Sequence, residues 1–306
     1  MAAVGLLVAA VLTEGPSLLD ALGRLDPLSV AAATGAVLVG LVATMLSWRA
    51  LMAGLGSPLP LAAGARVYFL AQLGKYLPGS VWPVLAQMEL GREYRVPPAR
   101  SAAGAGLNLA LNLVTGIVIG AAGLALAGAR GLSGYWWVLL PLPALLALLH
   151  PRLVSWWAGL ALRLLRRPPL RTRLGGRALA VATGWSALMW LALGTHVAVL
   201  AHGTGFRGRD LLLLSTGAYA VSWVAGFLVV VAPAGAGPRE LALVVLLSQA
   251  LPQSAALAVA LVSRLLSTLC DLAVAGGGMV AERVHRARAP DPVTVAGARA
   301  GPDGMP

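Results

Sequence analysis

Charged residues are scarce in this chain. They make up 11% of its 306 residues, hydrophobic residues make up 58%, and the mean hydropathy is +0.82. Soluble domains carry about 25% charged residues. Several apolar runs also exceed the roughly 18 residues that cross a bilayer. The scarcity of charge therefore excludes an ordinary soluble domain and predicts an all-α integral membrane protein.

Cysteine and catalytic motifs are nearly absent as well. Cys270 is the single cysteine, so no disulfide and no thiolate metal site can form within one chain. The four histidines are scattered, without the spacing of metal ligands on a helix. The sequence has no nucleophile elbow, zinc-protease motif, phosphate-binding Walker loop or cluster of acids. These absences predict a protein that is not an enzyme and needs neither a metal nor another cofactor.

The charge that is present is mostly of one sign. The net charge is +12, and all but one of the 23 basic residues are arginine. The arginines lie in loops between apolar runs, where they set orientation and attract anionic lipid, so nucleic acid is not an expected partner. The basic loop 163–177 and the C-terminal tail are predicted to be cytoplasmic, in a multi-pass protein of the plasma membrane. A simple count of spans puts the tail on the outer side of the membrane, in conflict with its predicted cytoplasmic location. A re-entrant segment, which does not cross the membrane, resolves that conflict.

The apolar pattern predicts about seven to eight spans in a single transmembrane domain, residues 1–280, with a disordered tail at 281–306. Two halves resemble each other: repeat 1 at about 28–129 and repeat 2 at about 178–280, joined by residues 130–177. Uninterrupted spans are predicted at 28–55, 101–129, 135–150, 178–201, 211–231 and 255–280. A broken stretch at 61–89 and a half-length piece at 241–251 complete the pattern, and the first is either one distorted span or a re-entrant hairpin.

Two of these stretches are interrupted by proline and glycine in the same way. The first break reads Gly74-Lys75-Tyr76-Leu77-Pro78-Gly79-Ser80-Val81-Trp82-Pro83, and the second reads Ala232-Pro233-Ala234-Gly235-Ala236-Gly237-Pro238-Arg239-Glu240. Pro78 and Pro233 have the same separation as Pro97 and Pro252. Matched interruptions in two halves of a membrane protein indicate a substrate site between repeats.

The residues of the breaks suit an anionic ligand. Proline removes a backbone donor and disrupts a helix, and the freed backbone groups must line a buried or watery cavity. A helix that restarts after such a break directs its N-terminus at the cavity, where it favours phosphate. Lys75, the only lysine, and Arg239 add positive charge there. The pattern thus predicts a site for a lipid phosphate, and the alternative is a structural kink with two snorkelling side chains.

Four further ionisable residues lie in or beside apolar runs: Glu89, Glu240, Arg264 and Asp271. Charge inside a membrane is costly, so it is paired or functional by default. Arg264 and Asp271 lie two turns apart on one helix face, and a structural pair within the bundle is the alternative to substrate binding. Glu240 either complements the dipole of a half-helix or, like Glu89, couples transport to protons.

Neutral side chains complete the candidate site. Asn108 and Asn112 share a helix face and serve either interhelical hydrogen bonds or substrate contact. Tyr76 and Trp82 either stack on a sugar or acyl group or are ordinary interface aromatics. The predicted substrate-binding residues are Lys75, Tyr76, Pro78, Gly79, Trp82, Glu89, Asn108, Asn112, Pro233, Gly235, Gly237, Arg239, Glu240, Arg264 and Asp271.

The two breaks resemble the signature stretches of the lysylphosphatidylglycerol synthase transmembrane family. The resemblance rests on Gly74–Gly79 with Trp82, on Pro233-x-Gly235-x-Gly237-x-Arg239-Glu240, and on Arg264 in the last span. Ala234 stands where the family has its first glycine. The resemblance covers essentially residues 28–280 and implies the membrane flippase region of that family, without its soluble aminoacyl transferase domain.

The expected function is therefore a flippase-like transporter that moves an anionic phospholipid or a polyprenyl-phosphate-linked sugar between leaflets. Membrane lipids are its expected partners. One alternative is a non-catalytic membrane partner of a glycosyl- or aminoacyl-transferase. Another is a membrane-embedded transferase that uses lipid-linked donors, with Glu89, Glu240 or Asp271 as its acid.

Overall fold

A computed structural model describes residues 15–77, 81–128, 175–229 and 233–288. Several sequence predictions fall outside these residues: the span at 135–150, most of the basic loop 163–177, Pro78, Gly79, and the tail from residue 289.

Within the described residues every regular element is helical, which confirms the predicted all-α class. The α-helices are α1 Gly15–Gly23, α2 Pro27–Gly54, α3 Leu61–Gln72, α4 Trp82–Arg92, α5 Pro98–Leu126, α6 Gly176–Gly203, α7 Leu211–Leu228, α8 Pro238–Leu247 and α9 Gln253–Arg288. Two 3₁₀ turns, Leu73–Tyr76 and Pro233–Gly235, lie in the two breaks.

Five of these helices are long and apolar enough to cross a membrane: α2, α5, α6, α7 and the Gln253–Val284 part of α9. The protein is therefore a multi-pass membrane protein. The predicted disorder from residue 281 is wrong for its first part, because α9 continues to Arg288. The polar composition there suggested disorder, but the sequence contains no helix breaker before Pro290.

Local sequence explains where the first spanning helix begins. Asp26 is the N-cap of α2, and its carboxylate accepts hydrogen bonds from the Ser29 backbone N–H at 2.7 Å and from the Ser29 hydroxyl at 2.8 Å. The backbone bond is the larger cause of a lowered pKa of the Asp26 carboxyl. Pro27 occupies the first helical position, where its missing N–H costs nothing.

The first broken stretch is an antiparallel helical hairpin. Its helices α3 and α4 have 12 and 11 residues, so each is only about 17 Å long and reaches roughly halfway through a bilayer core. At the tip, a Cβ on Gly74 would lie 3.0 Å from the Pro83 nitrogen. At the open end, Arg66 donates to the Glu93 carboxylate at 2.7 and 3.0 Å. This geometry fits the re-entrant hairpin rather than one distorted span.

The second broken stretch also folds back on itself. Helix α7 has 18 residues, but α8 has only 10. A Cβ on Gly226, near the end of α7, would lie 2.8 Å from the Arg239 Cβ at the start of α8. The turn uses positive φ angles at Ala234 (50°), Gly235 (72°) and Gly237 (92°). Glycine adopts such angles freely, but alanine is strained there, so Ala234 is a site of local strain.

The two halves of the chain are interlocked. The same order of elements occurs twice: a long helix, a broken pair, and a second long helix. Across the halves, α2 packs along α6, α5 packs against α7, and α9 packs against α3. Each broken pair therefore contacts the last helix of the other half. This order of elements is compatible with the repeat boundaries expected from the sequence, which remain a prediction.

Glycines allow the closest of these helix contacts. Gly123 of α5 and Gly217 of α7 face each other so closely that a Cβ on Gly123 would lie 3.0 Å from the Gly217 nitrogen. A Cβ on Gly217 would lie 2.7 Å from the Leu124 nitrogen. Small residues that let backbones approach are typical of membrane helix interfaces. This contact joins the two halves of the protein near the start of α7.

Candidate functional site

The two breaks meet in space. The 3₁₀ turn Leu73–Tyr76 contacts the 3₁₀ turn Pro233–Gly235, although they lie in different halves of the chain. A cavity of about 240 Å³ lies where they meet, and helices α2 to α9 all contribute to its lining. Of the predicted substrate-binding residues, the cavity lining contains Lys75, Tyr76, Asn108, Asn112, Gly235, Arg239, Arg264 and Asp271.

The first break is tied to α9 by an ion pair. The Lys75 ammonium lies 2.6 Å from Asp271 Oδ2, and the Tyr76 hydroxyl donates to the same oxygen at 2.6 Å. The Asp271 side chain is 6% exposed and that of Lys75 is 33% exposed. Lys75 also lies 5.4 Å from the centre of the Tyr76 ring. The carboxylate thus holds two neighbouring residues of the break against one helix.

The second break is tied to α9 by a different ion pair. Arg264 Nε lies 3.4 Å from Glu240 Oε1, and Arg264 Nη1 donates to the Ala234 carbonyl at 2.9 Å. The other oxygen of Glu240 accepts a 2.6 Å hydrogen bond from the Gly237 N–H at the start of α8. Glu240 is therefore both an N-terminal cap and an ion-pair partner. Its carboxylate thus occupies one N–H donor, that of Gly237, at the start of α8, where the sequence predicted that a ligand phosphate would bind.

The structure shows how Arg264 and Asp271, expected either to form a structural pair within the bundle or to bind substrate, are paired. Arg264 and Asp271 do not pair with each other; each pairs with a residue of a different break. The pattern of one helix shows which side chains share a face, but not what lies opposite that face. Here the opposite residues are Lys75 and Glu240, which only the packing of the two halves brings there.

Arg239 differs from the other two cations of the cavity. It lies in the first turn of α8, donates to the Tyr219 hydroxyl, and places its guanidinium 4.8 Å from the centre of the Tyr219 ring. Among the described residues no carboxylate forms an ion pair with it. Three cations thus face two carboxylates at this site, and the surplus positive charge resides on Arg239.

The two asparagines form interhelical hydrogen bonds, one of the two roles considered from the sequence. Asn108 Nδ2 donates to the Tyr68 hydroxyl at 3.3 Å, and Asn112 Nδ2 donates to Thr44 Oγ1 at 3.3 Å. Ser186 donates to Asn112 Oδ1 at 2.8 Å. These bonds connect α2, α3, α5 and α6. Both asparagines also line the cavity, so the interhelical network forms part of its wall.

Other predicted residues lie away from the cavity lining. Glu89 is on the surface, 3.2 Å from Arg92, with 72% of its side chain exposed. Trp82 is 44% exposed and does not line the cavity. Gly237 and Glu240 lie behind the lining, at the start of α8. The backbone of Pro233 forms part of the second 3₁₀ turn. Glu89, predicted to bind substrate or to couple transport to protons, thus lies outside the cavity lining, because that face of α4 points outward.

Sequence reasoning missed the aromatic part of the wall. Tyr219, Trp223 and Phe227 recur every four residues along α7 and all line the cavity. Trp223 and Phe227 stack with ring centres 5.8 Å apart and planes 6° apart, and Trp190 packs edge-on against Trp223 at 5.5 Å. The four-residue spacing was visible in the sequence as one face of a helix. It was indistinguishable there from ordinary packing between helices.

Removing the Glu240 carboxylate should destabilise the second break. Glu240→Ala removes a helix cap and one partner of a largely buried ion pair, so the expected loss is about 2–4 kcal/mol of unfolding free energy. Glu240→Gln keeps an oxygen for the Gly237 N–H and should lose less. Thermal unfolding in detergent, followed by tryptophan fluorescence, measures both.

Glu89→Ala is the matched control, since it removes an exposed carboxylate from a surface pair. We expect it to change stability by less than about 0.5 kcal/mol. Equal unfolding temperatures for Glu240→Ala and Glu89→Ala would contradict the structural role assigned to Glu240.

Comparison with protein families gives one match. The family described as the lysylphosphatidylglycerol synthase TM region matches residues 1–275. A comparison with curated proteins finds no match. The matched range contains both breaks and all the charged residues of the cavity.

Proposed function

Because the chain belongs to the lysylphosphatidylglycerol synthase transmembrane family, we propose that it is a flippase-like transporter. In this proposal it moves an anionic phospholipid or a polyprenyl-phosphate-linked sugar between the two leaflets of a membrane. The phosphate binds in the cavity between the breaks, and the acyl or prenyl chains stay in the bilayer. The basic loop 163–177 marks the cytoplasmic side, an orientation that rests on the positive-inside rule alone.

The observation that carries the proposal is the convergence of charge. Lys75 from the first break, Arg239 from the second and Arg264 from α9 line one cavity. That cavity lies among helices long and apolar enough to cross a membrane. Charge at such a place is costly unless it is paired or used, and among the described residues only two carboxylates offset these three cations. An anionic headgroup supplies the missing negative charge.

The interactions of the three candidate carboxylates favour lipid transport over the alternative of a membrane-embedded transferase. The transferase alternative needs a carboxylate that faces the cavity and is available to the substrate. Asp271 is engaged by Lys75 and Tyr76, Glu240 is engaged by Arg264 and the Gly237 N–H, and Glu89 lies on the surface. The three candidate acids of that alternative are thus committed to structure or turned away from the cavity.

Lipid movement in vesicles tests the proposal. Proteoliposomes are prepared with fluorescent phosphatidylglycerol, its lysyl form or a polyprenyl-phosphate sugar, and a membrane-impermeant quencher reports which headgroups reach the outer leaflet. We expect the wild-type protein to accelerate movement of at least one of these lipids over protein-free vesicles. The double variant Lys75→Ala/Asp271→Asn, which removes both charges of a cavity pair, should slow that movement at least tenfold.

The control is Arg92→Ala/Glu89→Gln, which removes a surface pair and should leave the rate unchanged. If the wild-type protein moves none of the three lipids, the flippase proposal is overturned. The favoured hypothesis is then a non-catalytic membrane partner of a transferase, and co-purification with such an enzyme is the next measurement.

A further inference from the structure

We infer that the headgroup carried on the phosphate is uncharged and rich in hydroxyl groups, as in a polyol or a sugar, and does not carry an ammonium group. This inference rests on the proposed function, because it concerns the ligand of the same cavity. Three features of the cavity wall carry it: the use of its carboxylates, the occupation of two of its aromatic faces, and its unpaired amide oxygens.

The carboxylates of the site leave no free anion for an ammonium group. Asp271 Oδ2 already accepts from both Lys75 and Tyr76. Glu240 has one oxygen on Arg264 and the other on the Gly237 N–H. An aminoacylated headgroup would therefore bring positive charge to a wall that, in its described residues, already has more cations than carboxylates. Like charges at close range in a partly buried site repel strongly.

Two of the aromatic faces beside the cavity are already used by the protein's own cations. Aromatic rings bind cations over their faces. Here the Arg239 guanidinium lies 4.8 Å from the Tyr219 ring centre, and the Lys75 ammonium lies 5.4 Å from the Tyr76 ring centre. The protein's own cations thus use these two faces. Trp223, which is partly exposed, adds an apolar surface to the lining that suits the C–H face of a ring or polyol.

The neutral part of the wall calls for hydrogen-bond donors. Gln87 and Asn108 line the cavity and are 2% and 4% exposed. Gln87 Oε1 and Asn108 Oδ1 have no hydrogen-bond partner in the described part of the chain. A buried acceptor without a donor costs about 1–3 kcal/mol. Hydroxyl groups satisfy such oxygens without adding charge.

The size of the cavity agrees with a small headgroup. Its 240 Å³ lies a little below the range of about 300–1,000 Å³ typical of small-molecule sites. A phosphate with a short polyol or one sugar ring is of this order. The cations hold the phosphate, and the amides and hydroxyls of the wall hold the uncharged part.

Binding of three short-chain lipids to the detergent-solubilised protein tests the inference. Phosphatidic acid has the phosphate alone, phosphatidylglycerol adds hydroxyl groups, and lysyl-phosphatidylglycerol adds ammonium groups to the same glycerol. Tryptophan fluorescence reports binding, since Trp190 and Trp223 line the cavity. We expect phosphatidylglycerol to bind at least tenfold more tightly than its lysyl form. Gln87→Leu should weaken binding of phosphatidylglycerol and leave phosphatidic acid unchanged.

A gain-of-function variant distinguishes an effect on binding from simple misfolding. Gln87→Glu supplies the missing carboxylate, so it should improve binding of the lysyl form relative to phosphatidylglycerol at least tenfold. The control Gln253→Glu adds the same charge at an exposed position outside the cavity, and it should change the affinity for neither lipid.

Two outcomes overturn the inference alone: lysyl-phosphatidylglycerol binding to the wild type as tightly as phosphatidylglycerol, or Gln87→Leu weakening all three lipids equally. Absence of binding by all three lipids would overturn the inference together with the anionic-phospholipid form of the proposed function.

Discussion

Replacing Arg239 with alanine should reduce binding and movement of the transported lipid by roughly 10- to 100-fold, the effect of losing one charge-assisted hydrogen bond of about 1.5–3 kcal/mol. Arg239 is expected to matter most among the cavity cations because no described carboxylate forms an ion pair with it. Lys75 and Arg264 must share their charge with Asp271 and Glu240. Arg239 can give its full charge to a phosphate.

A graded series distinguishes charge from shape at this position. Arg239→Lys keeps the positive charge but loses the planar fork that binds phosphate through two hydrogen bonds, so its loss should be intermediate. Arg239→Gln keeps a polar side chain with hydrogen-bond donors, although a shorter one, and removes the charge, so it should behave like Arg239→Ala. Headgroup binding and vesicle transport are measured in parallel, with unfolding temperature as the check on folding.

Arg92→Ala is the matched control for this series. Arg92 is 61% exposed and pairs with Glu89 on the surface, so we expect its variant to bind and move lipid like the wild type. The role of Arg239 in phosphate binding is refuted if Arg239→Ala folds normally and retains wild-type affinity for phosphatidic acid.

Replacing Gly123 with leucine should prevent stable folding. A Cβ at this position would lie 2.8 Å from the Leu213 carbonyl oxygen and 3.1 Å from the Gly217 Cα. These are backbone atoms, which cannot rotate aside as a side chain can. Overpacking of a tight interface costs about 1–3 kcal/mol and occasionally more, and leucine adds three further carbons to the clash. We expect loss of the monodisperse protein peak in size-exclusion chromatography, or an unfolding temperature lowered by more than 10 °C.

Gly106→Leu on the same helix is the control. Gly106 is exposed, and a Cβ there would meet no atom within 4 Å. The variant replaces glycine by a better helix former on an open surface, so stability should be unchanged or slightly higher. If Gly123→Leu unfolds at the same temperature as Gly106→Leu, then α5 and α7 do not pack as closely as described.

Much of the fold could be predicted because membrane helices are encoded locally. Apolar runs of sufficient length predicted α2, α5, α6, α7 and α9 to within a few residues at most ends. The breaks were visible because proline and glycine act through their own backbone, whatever packs around them. The helical extension of α9 to Arg288 was missed because polar composition is a weaker signal of disorder than an actual helix breaker.

The candidate site was predicted only in part, since hydropathy does not say which face of a helix points inward. Lys75 and Arg239 could be selected because they lie inside the breaks. Glu89 was selected because it is an ionisable residue in or beside an apolar run, and it lies on the surface. The aromatic wall of α7 was missed because nothing in the sequence distinguishes aromatic residues that line a cavity from those that pack between helices.

By itself, the sequence determined that this is a helical membrane protein with two matched interruptions and an excess of positive charge near them. These properties depend on residue type and on neighbours in the chain. Only the tertiary structure decided which charges meet. Tyr76 and Asp271, which share a 2.6 Å hydrogen bond, are 195 positions apart, and no spacing rule reaches that far. The pairing of Lys75 with Asp271 and of Arg264 with Glu240, and hence the surplus charge on Arg239, follows from how the two halves pack.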